Sequence, residues 1–111
     1  MKKEHILSIP TQRALKKFGA DIRAARIRRR ITMAIMSERA MITPFTLAKV
    51  EKGDPSVSFG IYASVIFVLG MIDKIYSLLD ISEDLVGRSL DEERLPKRVR
   101  TARAPMALPP D

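Results

Sequence analysis

The chain has 111 residues, of which 46% are hydrophobic, and it carries a net charge of +7. This apolar content is sufficient for one modest core and too high for a wholly disordered protein. The absence of cysteine excludes a disulfide framework, and one histidine, His5, cannot build a zinc cluster by itself. We expect His5 to be a solvated residue of an N-terminal arm.

The longest apolar stretch, residues 61–72, is too short to cross a bilayer and contains polar residues. The N-terminal apolar run is likewise too short for a signal peptide. We therefore expect a cytoplasmic protein with no membrane partner.

Positive charge is concentrated in the first quarter of the chain. Residues 1–30 contain ten lysines and arginines against two acids, a net +8, whereas residues 31–80 have a net −1 and residues 81–111 are balanced. A basic block on an otherwise neutral domain fits a polyanion, because phosphate neutralisation releases condensed counterions. A merely solvated basic face fits the charge equally well, so charge alone does not decide the function.

Helical periodicity dominates the sequence and predicts an all-α fold. The first helix is predicted from about Gln12 to Arg29, with Pro10 and Thr11 as its start signal. Its apolar residues recur at spacings of three and four and form one stripe that faces the core: Leu15, Phe18, Ile22 and Ala25.

A second helix is predicted from Thr32, whose hydroxyl can cap it, to about Ala40. Met36 and Ala40 are spaced to face inward. Met33 and Ile35 project away from them and are expected to be exposed.

A third helix is predicted to begin at Thr43 and Pro44, because threonine caps well and proline fits the first helical position. Leu47 and Val50 give it a core side. Gly53 is placed to end it in a left-handed conformation.

The remaining elements are predicted in outline. A largely buried fourth helix covers Ser58–Leu69 and ends at Gly70, and a fifth covers 72–79. Residues 82–90 are predicted to hold one or two further turns, broken near Gly87. Residues 96–111 form a basic, proline-containing tail that we expect to be disordered when the protein is alone.

Two short helices joined by a tight connection form a helix-turn-helix unit over residues 32–53. In such units the second helix enters the DNA major groove with its leading residues toward base edges, and the first crosses the phosphate backbone. The unit therefore predicts binding to double-stranded DNA.

The stretch from Leu15 to Leu69 resembles the lambda-repressor-like, XRE-type DNA-binding family. The likeness lies in an ordered set of short segments: Ile22-Arg23-x-x-Arg26, Ile31-Thr32, Ser37-Glu38-Arg39-Ala40, Thr46-Leu47-x-x-Val50-Glu51-x-Gly53 and Leu69-Gly70. The resemblance implies a five-helix domain around one core, here residues 12–80, which act as a homodimer on a palindromic operator. An arm (1–11), an irregular or helical extension (81–95) and the tail (96–111) flank that domain.

The resemblance also implies an internal salt bridge between Arg26 and Glu51 that braces the recognition helix. Two residues depart from the family pattern. Met33 stands where a phosphate-contacting glutamine is usual, and Met41 stands in a turn position that usually needs glycine for its positive φ.

Candidate DNA contacts follow from the resemblance and the side-chain chemistry. Base-edge contacts are expected from Thr43, Pro44, Phe45, Thr46 and Lys49, and phosphate contacts from Arg28, Arg29, Arg30, Thr32, Met33, Lys52 and Ser56. Phe45 either lies on thymine methyl groups in the groove or tucks into a core or partner surface. Few of these side chains can donate to bases, so much of the specificity is expected to come from DNA shape.

The dimer surface is expected on the fifth helix and the segment after it, at Ile72, Ile75, Tyr76, Leu79, Ile81, Leu85 and Leu90. The leading hypothesis is a bacterial transcriptional repressor with no enzymatic activity, no cofactor and no metal. The alternative is a HipB-type antitoxin that also binds a HipA-like kinase toxin, because the late Leu-Gly, Leu-Leu-Asp and Leu-Pro-Lys-Arg layout is similar to such proteins.

Overall fold

The computed structural model describes residues 6–94, which form six α-helices and one 3-10 turn and contain no strand. The predicted all-α class is confirmed for this part of the chain. The elements are α1 (Ile9–Arg28), α2 (Met33–Ala40), α3 (Pro44–Glu51), α4 (Phe59–Val68), α5 (Ile72–Ser77), the 3-10 turn (Ile81–Glu83) and α6 (Leu85–Arg94).

The chain divides into two compact units, Met1–Tyr76 and Ser77–Asp111. The division falls within the last turn of α5, earlier than the boundary after residue 80 that the sequence suggested. His5 and the predicted tail 96–111 lie outside the described residues.

Helix α1 begins earlier than predicted. Ser8 has an extended backbone and its hydroxyl accepts from the Thr11 N–H at 3.2 Å, so Ser8 is the N-cap and Thr11 lies inside the first turn. Pro10 is accommodated there because the first N–H groups of a helix have no partner within it. The predicted start at Gln12 is therefore wrong, and α1 takes up part of the expected N-terminal arm.

The core of the first unit lies where α1, α2, α3 and α4 meet. Four side chains in it are fully buried, namely Met36, Leu47, Val50 and Val65. Around them lie Ile22, Ala25, Ala40, Tyr62, Ile66 and Leu69. All ten side chains are apolar or aromatic, so their burial supplies the main stabilisation of this unit.

Phe18 departs from the predicted core stripe of α1. It is 37% exposed and its ring lies against Tyr62, with the centroids 5.8 Å apart. Gly19, which the stripe did not include, is buried instead. The face of α1 that meets the core is therefore rotated toward Gly19 and Arg26.

The predicted boundaries of α2 and α3 are confirmed. Thr32 accepts from the Ile35 N–H and Thr43 from the Thr46 N–H, each at 3.1 Å. Met41 ends α2 in the left-handed region, with φ 61° and ψ 43°, and its N–H returns to the carbonyls of Ser37 and Glu38. Helix α2 thus closes with the positive φ for which the sequence analysis expected glycine to be usual.

Met33 does not project away from the core as predicted. Its side chain is half-buried against the apolar cluster, whereas Ile35 is 42% exposed. Met33 is the first residue of α2, and its side chain packs against the buried cluster from there.

Helix α4 is less buried than its apolar composition suggested. Ser58 caps it and Gly70 follows it with φ +81°, as expected. However, Phe59 and Phe67 are exposed, and only the face with Tyr62, Val65 and Ile66 is buried. A short helix can bury one face alone in a core of this size, so the second apolar face stays on the surface.

The second unit contains the 3-10 turn and α6, which runs without interruption through Gly87. The Gly87 N–H donates to the Asp84 carboxylate at 2.9 Å, and a Cβ on residue 87 would lie 2.7 Å from Asp84 Cγ. The predicted break at Gly87 is wrong because glycine here makes room for a cap at the start of the helix.

Candidate nucleic-acid interface

The C-terminal end of α3 is fixed to α1 by an ion pair. Arg26 Nε donates to Glu51 Oε2 at 2.6 Å and Nη2 donates to Oε1 at 3.2 Å, while both residues are over nine-tenths buried. The remaining nitrogen, Nη1, donates to the Ile31 carbonyl at 2.9 Å. One guanidinium therefore joins α1, the end of α3 and the entry to α2 through geometrically specific bonds.

Two glycines let the backbones of α1 and α3 approach closely at the same end. A Cβ on Gly19 would lie 2.6 Å from the Val50 carbonyl oxygen, and one on Gly53 would lie 2.8 Å from Lys16 Cα. Gly53 also has φ +72°, the left-handed conformation that the sequence predicted for it. Sequence reasoning missed Gly19, although a glycine inside a strongly helical segment is itself a signal of close packing.

The N-terminal end of α3 is exposed. Thr43, Pro44 and Phe45 are exposed, and Thr46 is half-buried. Thr43 Oγ1 accepts from the Thr46 N–H and donates to Thr46 Oγ1, both at 3.1 Å. Because Thr46 Oγ1 accepts in this pair, its own hydroxyl hydrogen can be donated to an outside acceptor.

Phe45 does not pack into the core of its own chain, since its side chain is 72% exposed. The Lys49 ammonium lies over its ring, 5.2 Å from the centroid, in a cation–π contact. An exposed aromatic ring and a cation thus form one composite surface along the outer side of α3.

Among the phosphate candidates, Thr32, Arg30 and Lys52 lie exposed at helix ends. Thr32 is the N-cap of α2, Arg30 lies just before it with φ 55°, and Lys52 caps the C-terminus of α3. The N-terminus of α2 also presents free N–H groups, which favour anions.

The other phosphate candidates have different surroundings from those expected. Arg29 Nε donates to the Leu69 carbonyl at 3.1 Å and Nη1 donates to the Ala25 carbonyl, so this side chain closes the end of α4 against α1. Arg28 lies at an open groove between α1 and the second half of α4. Met33 has no donor and packs on the core.

Ser56 is engaged within its own loop, because its N–H donates to Asp54 Oδ1 at 2.8 Å. The hydrogen bonds from the Ser56 N–H and hydroxyl hold the pKa of the Asp54 carboxyl below its usual value. Lys49 adds a smaller lowering of that pKa. The loop after α3 therefore carries a stable negative charge close to the basic side chain of Lys49.

Tyr62 supports the same loop from α4. Its hydroxyl donates to the Asp54 carbonyl at 2.8 Å, and burial raises the pKa of the Tyr62 phenol, with a smaller contribution from the Asp54 carboxylate. The loop is thus fixed by one hydrogen bond from the core helix and by its own Asp54–Ser56 turn.

The expected dimer residues fall in both units. In the first, Ile72 and Ile75 are half-buried, with Ile75 packed against the core, and Tyr76 is exposed. In the second, every expected residue is exposed: Leu79, Ile81, Leu85 and Leu90.

Residues 6–94 contain no group of three or more histidine, aspartate or glutamate side chains arranged to hold a metal ion. Within the same range, no helix is both long and apolar enough to span a bilayer.

One solved structure is similar to this chain. It is described as the clp gene regulator ClgR from Corynebacterium glutamicum, with 26% sequence identity and a TM-score of 0.46. The match covers 72% of this chain and 93% of the other. No family model matches the chain. No curated protein matches it either.

Proposed function

We propose that this protein is a non-catalytic regulator that binds double-stranded DNA as a homodimer on a palindromic operator and represses transcription. The observation that carries the proposal is the difference between the two ends of α3. Its C-terminal end is fixed by the buried Arg26–Glu51 pair, and its N-terminal end stands exposed. A rigidly mounted helix with an exposed leading end is the geometry that the major groove accepts.

In the proposed complex, Thr46 donates its hydroxyl to a base edge and Lys49 reaches a guanine or a phosphate. Phe45 lies against thymine methyl groups, which its 72% exposure permits. Arg30, Thr32 and Lys52 contact phosphates on either side. Arg29 and Ser56 are left out of this proposal because their hydrogen bonds are used within the protein.

Binding is tested by fluorescence anisotropy with fragments of the DNA upstream of the protein's own gene, over a series of salt concentrations. We expect salt-sensitive binding, in which Lys52→Ala lowers the salt slope by about 1. Lys49→Ala should weaken specific binding. The control is Lys17→Ala, which should not weaken it, because Lys17 is an exposed lysine of α1 that pairs with Asp21. Binding to no fragment, or equal losses in all three variants, would contradict the proposal.

One observation favours the antitoxin alternative as a second candidate. Met41 is 89% exposed and, with Phe67 and Ile72, lines an apolar depression. Contiguous exposed apolar surface is typical of protein-binding sites. The test is co-purification with a kinase-like toxin encoded by the neighbouring gene. Co-purification with the wild type but not with Met41→Asp would support the antitoxin role. Co-purification that this substitution leaves unchanged would oppose it.

A further inference from the structure

The segment of residues 77–94 has no core of its own. None of its residues is buried, and its large apolar side chains are exposed: Leu78, Leu79, Ile81, Leu85, Val86 and Leu90. Six exposed apolar side chains within 18 residues are typical of a protein-binding surface. A second copy of the chain is a surface able to cover them.

The apolar side chains of α6 lie on one face. Leu85, Val86 and Leu90 fall within an arc of about 140° around the helix axis, and Glu93 lies inside that arc. Glu92 lies at its edge. The face that needs a partner is therefore apolar with an acidic end.

Charge decides against pairing of this face with a copy of itself. Residues 77–94 contain six acids and two arginines, a net −4, so two such segments side by side would repel. Residues 6–76 contain twelve lysines and arginines and five acids, a net +7. The first unit thus carries the net charge of opposite sign.

The first unit has an open apolar groove of about 380 Å³ between α1 and the second half of α4. Phe18, Ile66, Leu69 and Met71 form part of its lining, to which Arg28 adds a cationic side chain. Asp21 also lines it but is paired with Lys17 at 2.7 Å. The groove therefore offers an apolar lining with a cationic side chain, which matches the α6 face in both respects.

We propose that α6 of one copy docks in this groove of a second copy, with Glu92 and Glu93 toward Arg28. By two-fold symmetry the contact then occurs twice per dimer. This inference rests on the proposed homodimer and gives it a charge-complementary, reciprocal interface.

The test is the mass of the full chain in solution without DNA, by sedimentation equilibrium. The wild type should give twice the 12.5 kDa of one chain. Arg28→Glu and the double variant Glu92→Lys with Glu93→Lys should each dimerise roughly a hundredfold more weakly, because each places like charges together. Leu90→Asp should do the same by interrupting the apolar face, and Arg13→Glu, an exposed change elsewhere on α1, should remain dimeric.

Mixing supplies the decisive comparison. An equimolar mixture of the Arg28→Glu chain and the Glu92→Lys, Glu93→Lys chain should recover dimers, since both contacts of the mixed pair are then complementary. A monomeric wild type would overturn the proposal. So would a dimer that resists Arg28→Glu and is tightened by the lysine substitutions, the result expected for paired α6 helices. DNA binding is measured separately, so a dimer of this kind without DNA binding would refute the proposed function and leave this inference standing.

Discussion

Replacing Glu51 by glutamine removes one charge from a buried pair and leaves the shape of the side chain almost unchanged. The Arg26 guanidinium, 8% exposed, then lies in the interior without a counter-charge. Its bond from Nη1 to the Ile31 carbonyl remains, but the charge-assisted fork to the carboxylate is lost. Loss of one partner from a buried pair costs about 3–5 kcal/mol.

That cost is a large part of the total stability of a small domain, which is typically about 5–15 kcal/mol. Each kcal/mol shifts the melting temperature of a domain of this size by roughly 4–8 °C. We therefore expect Glu51→Gln to lower the melting temperature by at least about 12 °C, measured by circular dichroism with the free energy of unfolding taken from urea titration.

The matched control is Asp21→Asn, which neutralises the carboxylate of the exposed Lys17–Asp21 pair. Exposed pairs of this kind contribute about 0.5 kcal/mol or less. A double variant, Arg26→Leu with Glu51→Leu, should lose less stability than the two single changes added together, because no unpaired charge is left. Equal losses for Glu51→Gln and Asp21→Asn, or strict additivity in the double variant, would refute this account of α3.

Three further predictions concern the backbone and the loop after α3. Gly19→Ala should lower the free energy of unfolding by about 1–3 kcal/mol, although alanine favours a helix more than glycine does, because the new Cβ meets the Val50 carbonyl. Gly60→Ala should not destabilise the protein, because only Ser58 Oγ is nearby, at 3.8 Å. Urea titration of both variants tests the difference. Met41→Gly should raise the free energy of unfolding by up to about 1 kcal/mol in the same assay, because glycine adopts the positive φ without strain and the Met41 side chain is exposed. A lower free energy of unfolding would show that this side chain contributes to the fold. The pKa of Asp54 is lowered in the folded protein, so its stabilisation is present above the unfolded pKa near about 3.9 and is lost as the pH falls through the folded value. The stability difference from Asp54→Asn, followed by thermal melts across pH, should therefore be constant between about pH 5 and 8 and shrink below about pH 4; a difference independent of pH down to 3 would contradict this.

The elements that the sequence predicted well are those whose ends are set by local chemistry. Thr32, Thr43 and Ser58 each accept from an N–H three residues later, so the starts of α2, α3 and α4 can be read from neighbouring residues. Helix α1 was misjudged at its start because Ser8 and Thr11 are both good caps and their hydroxyls lie 2.7 Å apart. Choosing between two possible caps three residues apart requires knowledge of the chain geometry.

The surroundings of the candidate DNA-contacting residues and of the helix that carries them were less predictable, because the contacts are made by residues distant in sequence. Arg29 reaches the Leu69 carbonyl, and no local pattern indicates that contact. Arg26 and Glu51 were paired in advance only through the resemblance to a known family. The position of Phe45 was left open by the sequence, and its exposure follows from the way that Leu47 and Val50 orient α3.

The central claim is that the leading end of α3 enters a DNA groove. Amide NMR spectra recorded while a DNA fragment bound by the wild type is titrated into the labelled protein test it most directly. The largest shift changes should fall at residues 43–49 and at the start of α2, and they should disappear for a scrambled fragment at moderate salt. Changes confined to residues 9–28 or to residues 77–94, with α3 unaffected, would contradict the claim.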